Sequence, residues 1–123
     1  MRRLAALGLS VSALLASIGC GSHAAPAALP PPSDGRAVFS VEVGGDGYHP
    51  GEISAPPSTP IRLVFTRTTD EGCGQELVIP SLDVHRDLPL NEQVAVDLVT
   101  PASGRLAFTC GMGMYQGAVV AAP

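Results

Sequence analysis

Leu106-Ala107-Phe108-Thr109-Cys110-Gly111-Met112-Gly113-Met114-Tyr115-Gln116-Gly117 is the stretch on which the fold and the chemistry both turn. Upstream, Leu106 and Phe108 alternate with Ala107 and Thr109, the period-two pattern of a strand with one face buried. By that parity Cys110 points inward as well. Gly111 and Gly113 then open a loop, and the apolar run Ala118-Val119-Val120 begins another, buried strand.

The same alternation recurs on either side. Phe39, Val41 and Val43 alternate with Ser40 and Glu42, and Ile61, Leu63 and Phe65 stand against Arg62 and Thr66. Val94, Val96 and Leu98 repeat the pattern, while Leu77-Val78-Ile79 is a shorter buried run. Gly44-Gly45-Asp46-Gly47, Pro56-Pro57, Pro60, Gly72, Pro80, Pro89, Pro101 and Gly104 separate these segments at the intervals of an antiparallel sandwich. No segment keeps helical spacing beyond two turns, and no internal repeat is legible. With 14 Gly, 12 Pro and no Trp in 123 residues, the composition also favours short strands and tight turns.

Met1-Arg2-Arg3 followed by the apolar run Leu4 to Ile18 reads as a cleaved export signal, because the hydrophobic stretch is too short to span a bilayer comfortably. Ser17-Ile18-Gly19-Cys20 resembles the lipobox of bacterial lipoproteins, in which the cysteine is acylated; Ser17 stands where Leu is usual. An ordinary signal cleaved near Ala25 or Ala27 is the alternative. The organisation read from the sequence is therefore residues 1–20 as signal, 21–36 as a Pro/Ala-rich spacer and 37–123 as one small domain. The chain is expected outside the cytoplasmic membrane, in the periplasm or on the outer side of the cell membrane, meeting lipid through an anchor only.

Loss of Arg2 and Arg3 with the signal leaves Arg36, Arg62, Arg67, Arg86 and Arg105 against 11 acidic residues. These arginines are scattered, read as solvated strand and loop positions, and give no nucleic-acid footprint. No Ser/His/Asp grouping or carboxylate pair is legible, so no enzymatic activity is expected. His23 falls in the spacer as a spectator.

Apart from the initiator, Met112 and Met114 are the only methionines, and both lie within four residues of Cys110 in a glycine-rich loop. Methionines that fill cores are more often dispersed through apolar strands. Cys73 lies in Asp70-Glu71-Gly72-Cys73-Gly74-Gln75-Glu76, and its parity with Leu77 and Ile79 aims it at the edge of the core. Thiolate and thioether are soft donors that select monovalent copper, whereas zinc sites seldom use Met. The reading requires the sulfurs of Cys73 and Cys110 at one rim with a thioether turned toward them.

The sequence resembles the cupredoxin-like domains of bacterial exported copper-handling proteins, some copper-transporting ATPases and periplasmic metal-uptake proteins. The likeness spans about residues 38–121 and is carried by Asp46-Gly47-Tyr48-His49-Pro50, Glu52-Ile53, Leu63-Val64-Phe65-Thr66-Arg67, Cys73, Glu76-Leu77-Val78-Ile79-Pro80, Leu88-Pro89-Leu90 and, most specifically, Phe108 through Gly117. It implies an all-β, Greek-key β-sandwich of about seven to eight strands with copper bound at one end. Cys73, Cys110 and Met114 match the ligand positions, Met112 lies inside the motif, and Glu76 is a weaker candidate that orients the loop. His49 and His85 do not match it. Another copper-handling envelope protein is the partner such a domain implies.

A blue-copper electron carrier needs two His with the Cys, and no His follows Cys110, so holding or handing over copper suits these residues better. The main competitor is a structural disulfide between Cys73 and Cys110 in a metal-free interaction module, since exported small domains sit in oxidising surroundings. Closing a loop of about 38 residues would stabilise the fold by about 4 kcal/mol. The two readings can coexist, with an oxidised form that excludes metal and a reduced form that binds it. Tyr48 and Tyr115 are read as packing residues, the second as a shield against water.

Overall fold

The structure is a computed structural model that describes Leu29–Pro123. The expected export signal, Cys20, His23 and the first part of the expected spacer lie outside the described residues. No helix among the described residues is long and apolar enough to cross a membrane.

Among the described residues, nine strands form two sheets packed face to face. They are β1 (Ala37–Val43), β2 (Tyr48–His49), β3 (Glu52–Ala55), β4 (Pro60–Arg67), β5 (Glu76–Ile79), β6 (Val84–Asp87), β7 (Gln93–Val99), β8 (Arg105–Cys110) and β9 (Gln116–Ala121). One sheet has the order β2-β1-β4-β7 and the other β3-β9-β8-β5-β6. A 3-10 turn over Pro80–Leu82 links β5 to β6 and closes at Asp83 in the left-handed region.

The period-two residues supply the two inner faces. Val41, Val43, Ile61, Leu63, Phe65, Val96 and Leu98 face Ile53, Leu77, Ile79, Leu106, Phe108 and Val119, all of them buried. Phe65 and Phe108 meet edge to face with ring centroids 5.5 Å apart, and Tyr48 packs edge-on against Phe108 at 4.9 Å. Burying each of the two phenylalanines stabilises the sandwich by roughly 2–3 kcal/mol, and edge-to-face geometry suits the ring quadrupoles. This is the all-β sandwich expected from the sequence.

Two features depart from that expectation. The pairings β1–β4 and β3–β9 are parallel, not antiparallel. Alternation fixes which face a residue takes but carries no strand direction, which chain crossovers decide. Three short strands are not legible in the sequence. β6 has a largely exposed edge sequence, Val84-His85-Arg86-Asp87, β2 is only two residues long, and β3 carries a single large apolar side chain, Ile53, in four residues, so none shows a periodic apolar signal.

The segment Leu29 to Arg36, expected to be the end of a spacer, is docked on the sandwich. The Leu29 amide donates to Gln93 Oε1 at 2.9 Å, and Arg62 donates to the Pro30 carbonyl at 3.4 Å. Asp34 pairs with Arg36, and Asp97 accepts from Arg62 Nε at 2.7 Å with Arg36 at 3.5 Å. Leu29 to Arg36 thus lies along β4 and β7, where Val64, outward by parity, is buried.

Candidate metal centre

The antiparallel pairing of β5 with β8 puts Leu77 opposite Cys110 and Val78 opposite Thr109. The N-terminal end of β5 therefore lies beside the C-terminal end of β8. Cys73, four residues before Leu77, and Cys110, the last residue of β8, meet there and form a disulfide across a sequence separation of 37. Cys73 is 8% exposed and Cys110 1%, so both side chains face inward as parity predicts.

The Cys73 loop is held by Arg67. Its Nε donates to the Leu88 carbonyl at 2.6 Å and its Nη1 to the Thr69 carbonyl at 3.1 Å. Backbone bonds from Leu88 to the Gln75 carbonyl and from Asn91 to the Arg67 carbonyl, 2.8 and 2.7 Å, bind the same segments. Reading Arg67 as a solvated position is therefore corrected: it is half-buried, because the Leu88 and Thr69 carbonyls of two loops converge on its guanidinium where β4 ends. Gly72 adopts φ +80°, and a Cβ there would run into the Tyr115 hydroxyl. Only glycine lets this loop pass over that ring.

The second loop is a tight turn between β8 and β9. The Gly113 amide donates to the Cys110 carbonyl at 2.9 Å, with Gly113 at φ +73°, and the Cys110 amide donates to the Tyr115 carbonyl at 3.2 Å. Cys110 and Tyr115 close the turn, and the Tyr115 amide donates to Cys110 Sγ at 3.3 Å. Tyr115 is 8% exposed and packs edge-on to Tyr48, with its ring beneath the Gly72 and Gly74 positions that flank Cys73. Burial pushes the Tyr48 phenol well above its ordinary range.

The residues between them point elsewhere. Met112 is 80% exposed and Met114 72%, so the four sulfurs do not converge as the sequence reading required. The cause is local: Cys110 and Tyr115 use the inward positions, and the turn carries Met112 and Met114 on its outer side. The disulfide also occupies both cysteine sulfurs. Glu76 orients the rim, its Oε1 lying 3.1 Å from His85 Nδ1, while its side chain packs against Gly111. Cys73, Gln75, Glu76, Gly111 and Met112 line an open depression of about 330 Å³. His49 lies apart, paired with Asp46 at 2.8 Å. Among the described residues no three His, Cys, Asp or Glu form a metal-binding cluster. The donor set at this rim is sulfur, and it includes thioethers.

The family described as cupredoxin-like domain matches residues 10–121. The chain belongs to the cupredoxin-like domains. Solved structures agree with the cupredoxin-like fold. A copper binding protein determined by NMR in the apo form is 37% identical over 69% of this chain and 86% of its own, with a TM-score of 0.61. The metal binding domain of the Cu(I) exporting P-type ATPase CopA of Streptococcus pneumoniae D39, solved with Cu(I), is 23% identical over 70% of this chain and 85% of its own, with a TM-score of 0.65. Reduced auracyanin from Roseiflexus castenholzii, 16% identical over 71% of this chain and 98% of its own, has a TM-score of 0.54 and shares the fold. No curated protein matches the sequence.

Arg67, Gly72 and the Tyr115 amide are the positioning groups that sequence reasoning missed. The glycines flanking Cys73 were the available signal, since a Gly-Cys-Gly run marks a loop that crosses close to another chain segment.

Proposed function

We propose that this cupredoxin-like domain carries monovalent copper as cargo through the thiolates of Cys73 and Cys110, completed by a thioether of Met114 or Met112, and hands it on to another copper-handling protein of the cell envelope. The supporting observation is the meeting of two cysteines from distant loops at one rim, beside the two exposed methionines. An exposed thioether contributes nothing to the core, and next to a pair of thiols it is a soft donor with three rotatable bonds to bring it inward. The residues fit Cu(I) once the disulfide is reduced. The apo copper binding protein, related by sequence over most of its length, supports copper as the ion.

Holding is favoured over redox cycling. A blue-copper centre uses two imidazoles, and here His49 pairs with Asp46 while His85 pairs with Glu76.

The reduced protein should take up one Cu(I) per chain in anaerobic titration against a chromogenic chelator. Cys110→Ser should abolish uptake, and Met114→Leu should weaken it by about tenfold or more with the sandwich still folded. Failure to compete with the chelator would overturn the proposal. The disulfide itself favours a second reading, a metal-free interaction module, in which Met114→Leu is silent and Cys73→Ser acts on stability alone.

A further inference from the structure

The disulfide has two unlike sides. Cys73, 8% exposed, lines the open depression with Gln75, Glu76, Gly111 and Met112, so it is the member of the pair that borders the solvent side. Cys110 is 1% exposed, lies opposite Leu77 in the sheet and does not border that depression. Its sulfur is also the one that accepts a backbone hydrogen bond, from the Tyr115 amide at 3.3 Å. Thiol–disulfide exchange needs an attacking thiolate in line with the S–S bond, and negative charge builds on the departing sulfur. An N–H donor aimed at that sulfur stabilises the charge where it develops.

We infer that the Cys73–Cys110 bond is opened from one side: an external thiolate attacks Sγ of Cys73, and Cys110 departs as thiolate under the Tyr115 amide. The reductant is an extracytoplasmic protein dithiol. Its first thiolate forms a bond to Cys73 as the Cys73–Cys110 bond breaks. Its second thiol, having lost its proton to water, then attacks the reductant's own sulfur in the mixed disulfide, expelling the Cys73 thiolate. Two electrons pass to this chain, and the reductant leaves as a disulfide. Reduction in this order frees the buried sulfur first and the rim sulfur last, and both become available to Cu(I). That this gates copper loading rests on the function proposed above; the direction of attack does not.

Glutathione serves as a one-thiol probe. The oxidised full chain is mixed with glutathione, quenched rapidly in acid, alkylated with N-ethylmaleimide and mapped by peptide mass spectrometry. Glutathione on Cys73 with maleimide on Cys110 should exceed the reverse by about tenfold or more, the effect expected of a hydrogen bond to a charged sulfur. Adducts mainly on Cys110, an even split, or a disulfide that glutathione leaves intact would overturn the inference. Titration of the fully reduced chain with Cu(I) separates the two claims. Adducts on Cys73 without copper uptake leave the direction standing and sink the copper reading, and adducts on Cys110 with uptake do the opposite.

Discussion

His49 and Asp46 show what a single exposed pair contributes at the residue scale. The ring Nε2 lies 2.8 Å from the Asp46 carboxylate, which raises the imidazole above its ordinary 6.5, with Glu42 adding to the effect. The same hydrogen bond holds Asp46 below its ordinary 3.8. Because the histidine is raised in the folded state, its stabilisation is complete below 6.5 and is lost as pH rises through the raised value. Because the aspartate is lowered, its share is complete above 3.8 and is lost as pH falls through the lowered value. The pair therefore supports the fold most fully between those limits. NMR titration should place the His49 midpoint above 6.5, and Asp46→Asn should return it toward that value; an unmoved midpoint would show that the pair does not form in solution. Neither partner belongs to the sulfur rim, so Cu(I) uptake should be indifferent to the change.

Among the elements, β5 and β8 decide where the chemistry sits. Their antiparallel pairing brings the loop before one and the turn after the other to the same edge, and the disulfide ties the two together. Closing a loop of that length removes freedom from the unfolded chain, so reduction should lower the unfolding free energy by about 4 kcal/mol. Denaturant titration with and without a reductant measures this as a fall in midpoint. Cu(I) added to the reduced chain should raise the midpoint again, since a ligand that binds only the folded form stabilises it. An unchanged midpoint on reduction would mean that Cys73 and Cys110 are not cross-linked in the folded protein. The inward aim of Cys73 and Cys110 was legible from strand parity alone. The outward turn of Met112 and Met114 was not, because it follows from the Gly113 conformation and from Tyr115 taking the inward position.

At the scale of the whole molecule, the chain from Leu29 to Arg36 is fastened along β4 and β7, which leaves few residues between Cys20 and the docked segment. A lipid on Cys20 would therefore hold the sandwich near the membrane surface. Mass spectrometry of the N-terminal peptide should find Cys20 acylated, and Cys20→Ser should release the protein into the soluble fraction with an unaltered melting temperature; an unacylated Cys20 in the wild type would overturn the tether. The sequence by itself determined which residues face the core, that Cys110 and Cys73 point inward, and that the available donors are soft. Those properties are local, set by the two-residue period of a strand and by the chemistry of sulfur. Only the tertiary structure decided that β1 runs parallel to β4 and β3 to β9, that Arg67 clamps the Cys73 loop, and that the two cysteines bond to each other while the thioethers face water. Each depends on segments far apart in the chain that packing and backbone hydrogen bonds bring together, and no local period records which segments those will be.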